Sequence, residues 1–319
     1  MTILLCVVSV ISISACGKEE MDIDIYMPDG APALAMAKLM HDDNEFGYDI
    51  DYNVVASSNI GNYIIKETAE IAIVPVNMAS KLIGQGDKYK MVATVTNGNL
   101  YIVGNKDISS LDELKGEVVG VIGQGNVPDL NLKYLFSNNS TPIEYVPSEV
   151  VVDGKVALRY FKDASELIPL LKQNKLNFGL LPEPAVSKLL SMANNFSIEL
   201  NIQQLWDGGS YPQAVMIAKN NLCKDTDLLD KIIDAMIENE SWILENTASA
   251  VNAVNDELEE GLTPSLQSTI SSSAIANSNI KVKLMTQDEI GRVKAYLEGI
   301  RAIAPNAIGN YTDNMFCSL

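Results

Sequence analysis

Positive charge is scarce in this chain of 319 residues. The sequence holds 23 Lys and Arg against 41 Asp and Glu, a formal net charge of −18, and its only arginines are Arg159, Arg292 and Arg301. A nucleic-acid partner requires clustered Lys and Arg that displace counterions from phosphates. The composition therefore excludes nucleic-acid binding.

Histidine and cysteine are also rare, which bears on catalysis and metal binding. The sequence has one histidine, His41, and four cysteines. No His or Cys cluster has the spacing of metal ligands, and no nucleophile has a neighbouring base. We expect no catalytic residue, no metal, no cofactor and no enzymatic activity. Cys223 and Cys317 form either a disulfide or two buried free thiols.

Long hydrophobic runs are absent after the first segment, so no later stretch reaches the ~20 residues that a membrane-spanning helix needs. Residues 3–15 are apolar or small and carry no charge, which is typical of the hydrophobic region of a secretory signal. The run ends in Ile13-Ser14-Ala15-Cys16, which resembles the bacterial lipobox, where the cysteine becomes lipidated. We expect a signal segment over 1–16, a linker over 17–20, and an extracytoplasmic body that is lipid-anchored to the cell membrane at Cys16.

Two pairs of segments repeat along the chain. Residues 71–83 and 178–190 each read as an apolar run of strand length, a proline turn and a helical pattern that ends in Ser-Lys-Leu. Residues 25–34 and 121–130 form a second pair with a similar pattern. The duplication predicts two similar α/β lobes with a cleft between them.

The order of short apolar strands and amphipathic helices predicts a mostly parallel sheet, flanked by helices, in each lobe. An apolar run at 214–218 predicts a strand that returns to the first lobe, and the chain beyond it is predicted to be mainly helical. Lobe 1 then spans 21–104 plus 213–319, with a helical C-terminal tail, and lobe 2 spans 105–212. Two crossover hinge segments join the lobes, near residues 103–107 and 209–214.

Polar residues and glycines follow several predicted strands, which is where ligands bind in open α/β sheets. Many of them precede a helix, whose first N–H groups can hold an anion or a carbonyl. Glu183 replaces Val76 of the other repeat and lies at a helix start, so it either accepts hydrogen bonds from a ligand amine or is an ordinary helix-terminus acid. The candidate ligand-binding residues are Asp29, Gly30, Ala31, Ser58, Asn59, Asn77, Asn97, Asn99, Tyr101, Gln124, Gly125, Asn126, Glu183 and Tyr211.

The stretch Gly123-Gln124-Gly125-Asn126-Val127-Pro128 has most of a dinucleotide-binding fingerprint. Pro128 stands where the last glycine is needed for close helix packing, so the fingerprint is incomplete. We interpret the stretch as a tight turn whose amides face the cleft.

Three phrases carry a family resemblance: Asp-Gly-Ala-Pro-Ala-Leu-Ala from Asp29, Leu-Lys-Gly-Glu-Val-Val-Gly-Val from Leu114, and Phe-Gly-Leu-Leu-Pro-Glu-Pro from Phe178. With the lipobox and the duplicated lobes, they resemble the solute-binding lipoproteins of ABC transporters, which have the type II periplasmic binding protein fold. The resemblance covers about residues 21–303. Within this family the phrases are similar to the branch that binds alkanesulfonates, nitrate and thiamine-pyrimidine precursors.

The resemblance implies an extracytoplasmic solute-binding component of an ABC importer. It would capture a small molecule by hinge closure and deliver it to permease and ATPase subunits, as a monomer that touches the membrane only through its lipid anchor. The loops hold no arginine pair, so a neutral or amine-bearing heterocycle such as a vitamin precursor is favoured over sulfonate or nitrate. The alternatives are an enzyme on the same fold, like those of the menaquinone pathway, and a binding protein that feeds a sensory receptor.

Overall fold

The computed structural model describes residues 22–86, 88–224, 226–267, 269–310 and 312–317. The predicted signal segment, the linker and Cys16 lie outside these residues. Within them the strands are β1 (Asp22–Pro28), β2 (Asp49–Val55), β3 (Ile71–Pro75), β4 (Tyr89–Asn97), β5 (Leu100–Gly104), β6 (Val118–Ile122), β7 (Tyr145–Pro147), β8 (Val156–Phe161), β9 (Phe178–Pro182), β10 (Ser197–Asn201), β11 (Pro212–Lys219) and β12 (Ile280–Leu284). The helices are α1 (Ala31–Leu34), α2 (Ala37–Asp42), α3 (Ile60–Ile65), α4 (Val76–Gly86), α5 (Val127–Asn138), α6 (Ala164–Lys172), α7 (Ala185–Met192), α8 (Asp227–Glu245), α9 (Thr247–Asp256), α10 (Ser272–Asn277) and α11 (Gln287–Ile303).

The strands form two six-stranded mixed sheets. The first has the order β12-β4-β11-β3-β1-β2 and the second has the order β10-β5-β9-β6-β8-β7. In each sheet the strands that alternate with helices are parallel, whereas β11 and β5 run antiparallel to their neighbours. We call each sheet with its helices a lobe. The two sheets confirm the predicted two-lobed α/β fold.

The chain passes between the lobes at two places. Strand β4 ends at Asn97 in the first sheet and β5 begins at Leu100 in the second. This connection lies upstream of residues 103–107, where the sequence analysis placed it, because 100–104 pair with β9 and β10. The return runs from the end of β10 at Asn201 to the start of β11 at Pro212.

The region predicted to be mainly helical also contains β12, which pairs with β4 through residues 280–284. The apolar spacing over 33–40 predicts one helix, but the structure divides this stretch between α1 and α2. Strand β10 and helix α10 were not predicted from the sequence. Cys223 and Cys317 are free thiols, so the free-thiol alternative is the one observed. No helix among the described residues is both long and apolar enough to cross a membrane.

The hydrophobic core differs between the two faces of the molecule. On one face, which we call the continuous face, α3 and α4 of the first lobe and α5 of the second share one cluster with α11. On the opposite, divided face, α1, α2, α8 and α9 pack in a first-lobe cluster, while α6 and α7 pack in a separate second-lobe cluster. Side chains of a strand alternate between faces, so Val74 of β3 joins the continuous cluster and Ile73 joins the divided one.

Candidate functional site

A cleft of about 1450 Å³ lies between the lobes. Its walls come from the residues that follow β1, β2, β6, β8 and β9, from Val74 and Pro75 at the end of β3, and from the connections between the sheets. These are the carboxyl ends of the parallel strands, where the connections to the helices diverge and ligands bind in this class of sheet.

Eight of the predicted residues line this cleft. They are Asp29, Gly30, Ala31, Ser58, Asn99, Gln124, Asn126 and Glu183. Both lobes contribute, because Asp29 follows β1 of the first sheet and Glu183 follows β9 of the second. Residues from both pairs of repeated segments thus face one shared space.

The other six predicted residues lie outside the cleft lining. Asn77 and Gly125 contact each other instead: Asn77 Nδ2 donates to the Gly125 carbonyl at 3.2 Å and joins the lobes on the continuous face. Asn59 is the residue before α3, and its side chain makes no capping hydrogen bond. The contact between Asn77 and Gly125 joins residues 48 positions apart in the chain, which the strand-end rule does not predict.

Asn97, Tyr101 and Tyr211 belong to the hinge rather than to the cleft lining. The Asn97 Oδ1 atom accepts from Arg292 Nη2 at 2.7 Å, and the Tyr101 hydroxyl donates to the Asn277 carbonyl at 3.4 Å. Tyr211 is 1% exposed and packs between Trp206 and Tyr296, with ring centroids 5.2 and 5.8 Å away. Tyr211 and Trp206 therefore cover the hinge core.

Glu183 carries a buried carboxylate at the cleft wall of the second lobe. Its residue is 2% exposed, and the carboxylate accepts from the Ser187 backbone N–H at 3.0 Å and from the Ser187 hydroxyl at 2.9 Å. Burial raises the pKa of Glu183, while the bonds from Ser187 and Asn277 oppose the rise. Each carboxylate oxygen has two acceptor positions, so the group keeps capacity for a further donor.

Asp29 is the matching carboxylate of the first lobe. It accepts from the Ser265 backbone N–H at 2.6 Å and from the Ser265 hydroxyl at 2.8 Å. Burial raises its pKa, and the donors of Ser265 and Gly30 together with the charge of Lys188 oppose this. Asp29 and Glu183 therefore place a carboxylate held by a serine on each lobe.

The turn after β6 is fixed by a third acid beneath it. Asp129 is 0% exposed and accepts from the Gly125 N–H at 2.8 Å, Lys133 Nζ at 2.8 Å and the Tyr160 hydroxyl at 2.9 Å. Gly125 has φ of 76°, a left-handed conformation that glycine adopts without strain. The predicted tight turn is present, but the expectation that its amides face the cleft is wrong for Gly125, whose N–H donates to Asp129. Asp129 also orients the Tyr160 ring, which lines the cleft.

Two groups of cleft residues were not predicted from the sequence. Residues 261–265 line the cleft although they lie far along the chain after α9. They reach it because Glu259 and Leu258 attach to Val54 of β2. The second group lies at the start of α6. Its position directly after strand β8 is the sequence signal that could have identified it.

The charged residues of the cleft are mixed. Its lining contains the acids Asp29, Asp163, Glu166 and Glu183 and the lysines Lys162, Lys172 and Lys188, and the lining residues include no arginine. Tyr160 and Phe161 add two aromatic rings. Among the described residues, no group of three or more His, Cys, Asp or Glu side chains is placed to hold a metal ion. The arrangement can therefore offer carboxylates, lysine ammonium groups, amides and flat apolar surface to one small molecule.

No protein-family model and no curated protein sequence match the chain. Solved structures do match it. An ABC transporter from Parabacteroides distasonis is 19% identical, with a TM-score of 0.73, over 93% of this chain and 99% of that one. The alkanesulfonate-binding protein from Xanthomonas axonopodis pv. citri, bound to MOPS, is 10% identical with a TM-score of 0.64, over 90% and 96% of the two chains.

A ligand-binding component of an ABC-type import system from Staphylococcus aureus, with zinc bound, is 11% identical with a TM-score of 0.62, over 93% and 96% of the two chains. At these identities the likeness shows the fold. The two six-stranded sheets and the cleft between them have the architecture of the two-lobed periplasmic binding proteins.

Proposed function

We propose that this chain is the extracytoplasmic solute-binding component of an ABC importer, tethered at Cys16 and delivering its ligand to a permease. The observation that carries the proposal is the cleft of about 1450 Å³ lined from both lobes. A ligand that contacts both walls favours the closed arrangement, because those contacts exist together only there. The solved structures of similar fold support this role, since they include import-system binding proteins.

The ligand we propose is a neutral or amine-bearing heterocycle, such as a vitamin precursor. Glu183 and Asp29 can accept hydrogen bonds from amine or amidine groups, and Tyr160 and Phe161 offer flat surface for a ring. The lining residues include no arginine for bidentate recognition of an anion. Sulfonate and nitrate are therefore the less favoured ligands. Because the ammonium groups of Lys162 and Lys172 line the cleft and can pair with an anion, both anions are included in the screen below.

A thermal-shift screen tests the proposal. Because a ligand that binds only the native state raises the midpoint of unfolding, the panel contains vitamin precursors, nucleobases, small amines, sulfonates and nitrate. We expect a rise with a heterocycle that bears an amine. If only sulfonates or nitrate shift the midpoint, the proposed ligand class is wrong, and if nothing shifts it, the binding role loses its support.

The substitution Glu183→Gln then tests the contact with the ligand found by the screen. A hydrogen bond between a ligand amine and a carboxylate is worth enough to lower affinity roughly tenfold when the charge is removed. Glu166→Gln is the matched control, because Glu166 lines the same cleft but is exposed. Equal titration-calorimetry affinities for Glu183→Gln and the unchanged protein would disprove the contact.

A further inference from the structure

The divided face of the molecule contains a polar contact between the lobes. Lys188 belongs to α7 of the second lobe, and its Nζ donates to the carbonyls of Pro264 and Ser265 at 3.1 and 3.5 Å. Residues 264 and 265 belong to the first lobe, because Leu266 is buried in the first-lobe cluster. The contact therefore spans the cleft.

The first-lobe end of this contact is fixed to the cleft wall. Both Ser265 donors bind the Asp29 carboxylate, and Asp29 follows directly after β1. Lys188 also lies near enough to Asp29 for its charge to lower the pKa of that carboxyl. An unbroken chain of polar contacts thus runs from α7 through Ser265 to β1.

The position of the contact matters because of how the core is distributed. On the continuous face the two lobes share one hydrophobic cluster. Separating the lobes there would expose this apolar surface to water, and the free-energy cost grows with the exposed area. On the divided face the two clusters are separate, so little apolar contact opposes opening there. Lys188 lines the cleft and also a side cavity of about 260 Å³ between α7 and residues 265, 267 and 269–271. It therefore lies where the lobes would separate.

We propose that Lys188 is a positioning residue that holds the lobes together on the divided face, and that its bonds to Pro264 and Ser265 set the balance between open and closed forms. The inference rests on the proposed two-lobe capture of a ligand. Opening about the continuous face breaks the Lys188 bonds, so their loss shifts the population toward the open form.

The chain supplies a matched control through its own repeat. Lys81 occupies the corresponding Ser-Lys-Leu position on α4 of the first lobe and is exposed. The variants Lys188→Met and Lys81→Met therefore remove the same charge from equivalent helix positions. Denaturant unfolding of both variants establishes that each is folded before any comparison.

The experiment uses the protein without ligand, refolded from denaturant to remove small molecules. We expect Lys188→Met to increase the radius of gyration in solution X-ray scattering and to speed hydrogen exchange at the Ser265 amide roughly fivefold, the effect of losing about one charge-assisted hydrogen bond at a partly exposed site. Lys81→Met should match the unchanged protein in both measurements.

Faster exchange with an unchanged radius would mean that Lys188 only fixes residues 264–265, and this would overturn the proposal. No change in either measurement would overturn it as well. Because no ligand is present, these outcomes are independent of the thermal-shift screen, so a failed screen and a failed Lys188 variant remain distinguishable.

Discussion

At the scale of single residues, Glu183 shows how one side chain combines a structural and a binding role. Its carboxylate accepts from Ser187 at the start of α7, as an acid at a helix N-terminus does. It also lines the cleft. The two readings of Glu183 left open by the sequence are therefore compatible, since a carboxylate fixed by Ser187 presents its remaining acceptor positions in a defined direction.

The raised pKa of Glu183 predicts a pH dependence of stability. Burial raises this pKa above 4.5, so the folded protein binds the proton more tightly than the unfolded chain does. The contribution of Glu183 to the free energy of unfolding is then fully present below pH 4.5 and is lost as the pH rises through the folded value. We expect the difference in this free energy between the unchanged protein and Glu183→Gln to fall as the pH is raised above 4.5, in urea titrations.

Glu144→Gln provides the opposite sign as a control. The hydrogen bond from Lys155 lowers the pKa of Glu144, so its small contribution is present at neutral pH and is lost as the pH falls through the folded value. A Glu183 difference that stayed constant or grew with pH would contradict the assigned burial effect.

The sequence predicted cleft residues correctly where the position after a strand is enough to bring a residue to the cleft. Asp29 and Glu183 immediately follow strands, so the strand ends carry them to the cleft. Tyr211 and Asn97 also lie beside the sheet crossings, but their side chains turn into the hinge, toward Trp206 and Arg292 respectively. Arg292 lies 195 residues beyond Asn97 in the chain, so sequence spacing does not reveal this contact.

At the scale of elements, the start of α6 makes one wall of the cleft. Asp163 precedes the helix in an extended conformation, and its Oδ1 accepts from the Ser165 backbone N–H at 2.8 Å. This bond satisfies one of the unpaired N–H groups of the first turn. The cleft wall at 164–166 is therefore ordered by a local capping interaction.

Replacement of this cap should loosen the wall in a predictable way. We expect Asp163→Ala to lower the free energy of unfolding by about 1 kcal/mol and to speed hydrogen exchange in the first turn of α6. Asp163→Asn should retain most of the stability, because an asparagine oxygen can accept the same bond. Urea titration compares the three proteins, and equal losses for both variants would show that charge rather than capping matters.

The long periodic elements were the ones that sequence could predict. The helical patterns over 164–172, 185–192 and 287–303 predict α6, α7 and α11 with the bounds observed, because each has an apolar stripe and clear ends. Strand β12 was not predicted, because Ile280–Leu284 is short and lies among helices. Its pairing with β4 is a contact between distant parts of the chain. The place of residues 261–265 in the cleft was not predicted for a similar reason, since only the attachment of the preceding residues to β2 brings them over the cleft.

At the scale of the whole molecule, the first connection between the lobes depends on Gly98. Its N–H donates to the Tyr211 carbonyl at 2.9 Å, and its carbonyl accepts from Asn279 Nδ2 at 2.9 Å. A Cβ atom at this position would lie 2.7 Å from Tyr211 Cε1 and 2.9 Å from Gln203 Cβ. Both neighbours are buried, so the hinge has no room for a larger residue.

We expect Gly98→Ala to lower the free energy of unfolding by about 1–3 kcal/mol, because overpacking a filled core displaces its side chains. Gly291→Ala is the control: Gly291 lies within α11 with nothing within 4 Å of an added Cβ, so alanine there should stabilise the protein by about 0.5–1 kcal/mol. Since Tyr211 packs against Trp206, displacement of its ring should also shift tryptophan fluorescence in Gly98→Ala and not in Gly291→Ala. A Gly98→Ala protein as stable as the unchanged one, with the same emission, would show that the two lobes are not joined through a tightly packed hinge.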